Sequence, residues 1–155
     1  IQTESRRVDC CPTIFTEALG RCAEIFSDMA ENEQPLKLIS RRTNYMVNSW
    51  FHNVKSLKRA KQQNNPLFMH PDDGSKVRIH NTFGDIESLV SLDGDLKPGT
   101  VAMTHGWGHQ NTGMNVAKRY PGTNANELLP SGPGSFEKLS NQAFMTGIPV
   151  EVEAG

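Results

Sequence analysis

The stretch VAMTHGWGHQNTGMNVAKRYPGTNANELLPSGPGSFEKLSNQAFMTGIP, residues 101–149, decides the fold of this chain. It opens on apolar Val101-Ala-Met103, then packs glycines, asparagines, His105, Trp107 and His109 into a segment too polar and punctuated to form a core. Such composition belongs to loops that hang from a scaffold and wrap a ligand. Glycine reaches φ > 0 without steric cost, so backbone N–H groups can approach an anion closely. Asparagine offers a donor and an acceptor to a heterocycle edge. The stretch reads as a loop-built site for a large polar cofactor, held on a β scaffold.

Working outward, β signals flank these loops. Leu36-Lys-Leu-Ile39 is a short apolar strand, and Val101–Met103 is a candidate buried strand. Val77 and Ile79 alternate with Lys76, Arg78 and His80. Phe83-Gly-Asp85 supplies a turn, and Ile86 to Leu92 follows as the partner strand. Residues 92–100 are turn-rich, and Val150-Glu-Val-Glu153 alternates and closes the set. Short strands separated by Gly/Pro turns predict a mainly β barrel or sandwich.

The first part of the chain differs. Phe15, Leu19, Cys22, Phe26 and Met29 fall on one face of a 3.6-residue period, which predicts an amphipathic helix over 13–29. Pro12-Thr13 starts it, and the polar run 30–35 ends it and marks a boundary. The expected organisation is a helical segment at 1–34, leading in from a longer polypeptide, and a domain at 35–155. Beginning on Ile fits an excised piece.

Bulk properties exclude several classes. At 155 residues, with 36% hydrophobic and 21% charged residues, the chain can bury a real core. A net charge of −1 gives no global field for nucleic acid or membrane. No apolar run is long enough for a membrane span, and the start lacks the apolar stretch of a signal peptide. Cys10, Cys11 and Cys22 are odd in number and clustered at one end, so they read as free thiols, which leans toward a reducing, cytoplasmic compartment. Lys55, Lys58, Arg59 and Lys61 read as a solvated face rather than an RNA or phosphate patch. His105 and His109 have the helical spacing of zinc ligands, but Gly106-Trp107-Gly108 between them argues against a helix, and zinc is not assigned. Asp72, Asp73 and Asp85 sit in turns and carry no catalytic role.

Five motifs in order carry a family resemblance. PGTVAMTHGWGH (98–109), NANEL (124–128) and GIPVEVE (147–153) resemble the C-terminal domain of the molybdopterin-dependent oxidoreductases, the dimethyl sulfoxide reductase and formate dehydrogenase family. LKLISRRTNYMVNSW (36–50) resembles that domain's opening strand and cofactor-contacting loop, and NPLFMHPDDG (65–74) the segment entering the next part of the barrel. The resemblance covers roughly residues 35–155. One departure is the connection after His70-Pro-Asp-Asp73, where family members add a short helix and a Gly-Asp turn and this chain runs almost directly into the strand.

The resemblance implies a double-psi β-barrel of about six strands with long loops. It implies a molybdopterin guanine dinucleotide cofactor in bis form, with molybdenum or tungsten held mainly by other domains of a parent oxidoreductase. Those domains would be the partners. On this reading Ser40, Arg41, Arg42, Tyr45, Asn48 and Ser49 follow the first strand toward the pyranopterin and its phosphates. An Arg fork suits such oxyanions, and which of the two arginines makes contact is left open. His105 and Trp107 lie beside the pterin, with Gly106 and Gly108 permitting close approach. Asn124 and Asn126, with Asn115 as a further candidate, face the guanine-like pyrimidine edge. No residue here matches a metal ligand, so the domain is expected to cover and orient the cofactor. The alternative is a stand-alone double-psi barrel that binds a peptide or protein without pterin.

Overall fold

The computed structural model describes residues 3–31, 35–71 and 78–154. Contacts divide the chain into two compact units, residues 1–34 and 35–155. In the first unit α1 runs Thr13–Glu31, two residues beyond the predicted end. Its apolar stripe forms as the periodicity requires, yet Phe15, Leu19, Phe26 and Met29 are all exposed. Cys10, Cys11 and Cys22 are free and exposed. No helix among the described residues is long and apolar enough to cross a membrane.

The second unit is mainly β. Its strands are β1 (Leu36–Ser40), β2 (Leu67–Met69), β3 (Arg78–His80), β4 (Asp85–Glu87), β5 (Val90–Leu92), β6 (Thr100–Met103) and β7 (Ile148–Glu153). They form one mixed sheet in the order β4-β3-β7-β1-β6-β2-β5. Two pairings are parallel, β1 with β6 and β2 with β5. The remaining neighbours are antiparallel.

There are seven strands where about six were expected: Leu67–Met69 forms β2, and Ile86–Leu92 is not one strand. It breaks at Ser88-Leu89 into β4 and β5, which form opposite edges of the sheet. That break has a geometric consequence. Three Cα–Cα steps of 3.8 Å span at most about 11 Å between Glu87 and Val90. A flat sheet of seven strands, about 4.8 Å apart, would hold its edges roughly 29 Å apart. The sheet must therefore roll until its edges approach.

The turn before β4 is the expected one. Asn81 Oδ1 accepts hydrogen bonds from the N–H groups of Phe83 (2.8 Å) and Gly84 (3.1 Å), which closes the β3–β4 hairpin. Val77 and Lys76, expected in the preceding strand, lie outside the described residues, as does the trimmed connection at Asp72-Asp73.

The rolled sheet encloses the core. Leu38, Leu67, Met69, Ile79, Ile86, Val101, Met103 and Leu128 are buried there. Along β7, Ile148, Val150 and Val152 point inward while Pro149, Glu151 and Glu153 face out. Each inward aliphatic contributes about 1.5–3 kcal/mol. A slip of one residue would expose all three, which fixes the register against β1 and β3.

Candidate functional site

Strands β1 and β6 run parallel with Ser40 opposite Met103, so their C-terminal ends lie at the same end of the rolled sheet. The Arg41 N–H continues the ladder by donating to Met103 O (3.0 Å). The loops leaving the two strands therefore start side by side, which brings together residues more than sixty positions apart in sequence.

Ser40 Oγ lies 2.7 Å from His105 Nδ1, and His105 Nε2 lies 2.7 Å from Asn48 Oδ1. Arg42 also donates to Asn48 Oδ1 (3.1 Å). An amide oxygen only accepts, so His105 carries its proton on Nε2 and accepts from Ser40 through Nδ1. Burial, then the nearby Arg42 charge, lowers the His105 pKa and favours this neutral tautomer. Asn48 adopts φ 49°, a left-handed conformation that asparagine tolerates better than most residues. At Gly106 (φ +88°) an added Cβ would meet Asn48 O and Ser49 N. Gly106 thus lets the loop after β6 lie directly on the loop after β1.

The two arginines have different surroundings. Arg41 forms an ion pair with Asp93 (2.6 Å) and stacks 4.1 Å from the centroid of Phe68. Arg42 is exposed beside His105 and has no carboxylate partner among the described residues. Asn126 shares a cleft with Ser40, His105, Met103 and Met145. Its side-chain amide makes no hydrogen bond among the described residues. Asn124 packs under Gly108, and its side chain accepts from Asn126 N–H (3.2 Å) at the start of the 3-10 turn Ala125–Leu128. Tyr45 and Ser49 lie in the loop after β1 without a side-chain bond to His105. Asn115 stands apart. It opens the short helix α2 (Asn115–Arg119) and lines a different depression.

Trp107 is buried rather than presented. It is 2% exposed, its ring 4.7 Å from that of His52, with Lys58 Nζ 4.8 Å from its centroid. It supports the loop from within. His109 Nδ1 lies 2.6 Å from His52 Nδ1, and His52 Nε2 donates to Tyr120 O (2.7 Å). His105 and His109 therefore engage different partners.

Sequence reasoning assigns no role to His52 or Asn65 and places Lys58 on a solvated face. Asn65 is 1% exposed. It donates to Thr104 O and Thr123 O and accepts from Thr123 N–H, each at 2.8 Å, clamping the end of β6 to the loop before Asn124. Its sequence signal is its place before Pro66 in a motif already singled out. Lys58, expected on a solvated face, is 4% exposed.

The family model of the molydopterin dinucleotide binding domain matches residues 36–140. The chain belongs to this family. It is 27% identical over 173 residues to a tetrathionate reductase subunit from Salmonella typhimurium strain LT2, covering 92% of this chain and 16% of that protein. Acetylene hydratase from Pelobacter acetylenicus shares the fold at a TM-score of 0.62 and 21% identity, over 85% of this chain and 20% of that one. The molydopterin-binding chain thus spans a sixth to a fifth of these relatives' length.

The donor set fits a dinucleotide of this class. Arg42 could meet a phosphate, having no carboxylate partner among the described residues, and the Asn126 amide, without a hydrogen bond among them, could meet a pyrimidine edge. Two buried polar atoms, Thr43 Oγ1 and Trp107 Nε1, have no partner among the described residues. Thr43 immediately follows Arg42, so one of these orphans lies in the same loop.

Proposed function

We propose that this chain is the C-terminal cofactor-binding domain of a larger molybdenum or tungsten oxidoreductase that uses bis(molybdopterin guanine dinucleotide). The observation that carries the reading is the Ser40–His105–Asn48–Arg42 cluster at the shared end of β1 and β6. The finer topology is a double-psi barrel. The parallel pairs β1/β6 and β2/β5, set among antiparallel neighbours, support it.

The bound cofactor supplies the two-electron redox chemistry. The chain's own residues bind and orient it. Arg42 holds a phosphate, Asn126 pairs with a pyrimidine edge, and neutral His105 is held in one tautomer by Ser40 and Asn48. Arg41, paired with Asp93, positions the loop after β1. Trp107 and Gly108 support the loop after β6, while Tyr45, Ser49 and Asn124 shape the walls. The domain covers the cofactor and leaves metal ligation to other domains.

The name of one relative describes a reductase and that of another a hydratase, so the shared fold does not by itself assign the reaction. Resemblance to formate dehydrogenases supports the oxidoreductase reading. Three exposed free thiols suit a reducing compartment such as the cytoplasm.

The test is metal and pterin content of the purified parent enzyme. Arg42→Ala and Asn126→Ala should each lower molybdenum or tungsten occupancy, and Arg41→Ala should lower it less. Unchanged occupancy in both Arg42→Ala and Asn126→Ala would sink the site assignment.

A further inference from the structure

The basic residues of 55–61 do not simply form a solvated face. Lys55, Lys58 and Arg59 line one depression together with Arg119, which arrives from the far end of α2. Ser56 and Asn115 add a hydroxyl and an amide to the same lining, and no carboxylate lines it. In a chain of net charge −1, four basic residues line this depression with no carboxylate among the lining. Among the described residues none of the four lies within ion-pair distance of an acid.

Lys58 provides a second, independent observation. It is 4% exposed, donates to the neutral groups Phe51 O (3.1 Å) and Met46 Sδ (3.3 Å), and lies 4.8 Å from the Trp107 ring centroid. Burial lowers its pKa. A buried ammonium is ordinarily stabilised by an opposite charge. Here the described residues supply the Trp107 ring and neutral acceptors but no opposite charge, which an anion in the adjacent depression would add. Arg119 sits 5.5 Å from the Tyr120 ring centroid, within cation–π distance.

We propose that Lys55, Lys58, Arg59 and Arg119 form a binding site for a phosphate-class oxyanion, separate from the Ser40–His105 cleft. The lining is rich in donors and cations, and two arginine forks match a tetrahedral oxyanion. None of its residues lines the cleft that holds Ser40, His105 and Asn126.

The experiment is calorimetric titration of the 155-residue chain with inorganic phosphate and, in a second arm, with glycerol phosphate. Saturable binding is expected. Tighter binding of the ester would assign the site to a phosphomonoester, and tighter binding of inorganic phosphate to the free ion. Arg59→Gln/Arg119→Gln should weaken binding at least about tenfold. Arg7→Gln/Arg21→Gln, which removes the same charge elsewhere, should not. Circular dichroism of both variants checks that the fold is retained. Absence of saturation in both arms, or equal weakening in the two double variants, overturns the site. In the parent enzyme Arg59→Gln/Arg119→Gln should leave molybdenum or tungsten content unchanged. A fall would make the depression part of the cofactor site and overturn its separateness. Phosphate binding is read without pterin, so its failure and that of the cofactor proposal are distinguishable.

Discussion

His105 Nε2 and Asn48 Oδ1 are 2.7 Å apart, although 57 positions separate the two residues in sequence. The contact joins the loops after β6 and β1, and it depends on Asn48 holding a positive φ of 49°. Side chain and backbone contributions can be separated by substitution. Asn48→Gly keeps the backbone conformation and removes only the amide. Asn48→Ala removes the amide and leaves a Cβ in a left-handed region. The alanine variant should be less stable than the glycine variant by about 1 kcal/mol. Equal denaturant midpoints would mean that the backbone at Asn48 relaxes freely.

Gly106 and Gly94 make a second contrast. A Cβ at Gly106 would overlap Asn48 O, at a φ of +88°, whereas Gly94 has nothing within 4 Å. Gly106→Ala should cost about 3 kcal/mol or more and Gly94→Ala less than about 0.5 kcal/mol. Urea unfolding of the two variants measures the difference, and similar midpoints would show that the two loops do not press together.

The interlock at Asn65 should be costly to break. Asn65→Ala removes three hydrogen bonds from a buried position and leaves Thr104 O, Thr123 O and Thr123 N–H in need of partners. A loss of about 3 kcal/mol is expected. By comparison, Asn124→Ala removes a single cap over an exposed backbone N–H and should cost about 1 kcal/mol. Amide exchange at Thr123 is the local readout. It should accelerate in Asn65→Ala and stay slow in Asn124→Ala.

Stability should fall in mild acid. Burial is the first cause of the lowered pKa at both His52 and His105, followed at His105 by Arg42 and opposed at His52 by its bond to Tyr120. Both rings therefore bind protons less readily in the folded chain than in the unfolded one. As pH drops through the ordinary histidine value of 6.5, the unfolded state takes up protons first and gains stability relative to the folded state. The contribution is complete above that value and is lost progressively below it, down to the folded-state pKa. Denaturant midpoints between about pH 7.5 and pH 5 should decrease, and His105→Gln should flatten part of the slope. An unchanged slope in that variant would mean that His105 titrates normally.

The sequence by itself determined several of the elements. The alternation at 150–153 set the inward face of β7, apolar Leu36–Ile39 and Val101–Met103 formed β1 and β6, and the period of 13–29 produced α1. These are local periodicities, and each element reports its own. The loops flanking Ser40, Arg42, Asn48, His105 and Asn126 were also legible, because their glycines and amides are incompatible with a core. Tertiary structure decided the rest. The break at Ser88-Leu89 carries no composition signal, and only a rolled sheet explains why two residues join its opposite edges. Whether Arg41 or Arg42 is free depends on Asp93, which lies 52 residues from Arg41. Burial of Trp107, His52 and Lys58 likewise follows from loops that meet only because β1 and β6 are parallel neighbours. Strand pairing is non-local, so a sequence read in windows sees the donors but not the partners that commit them.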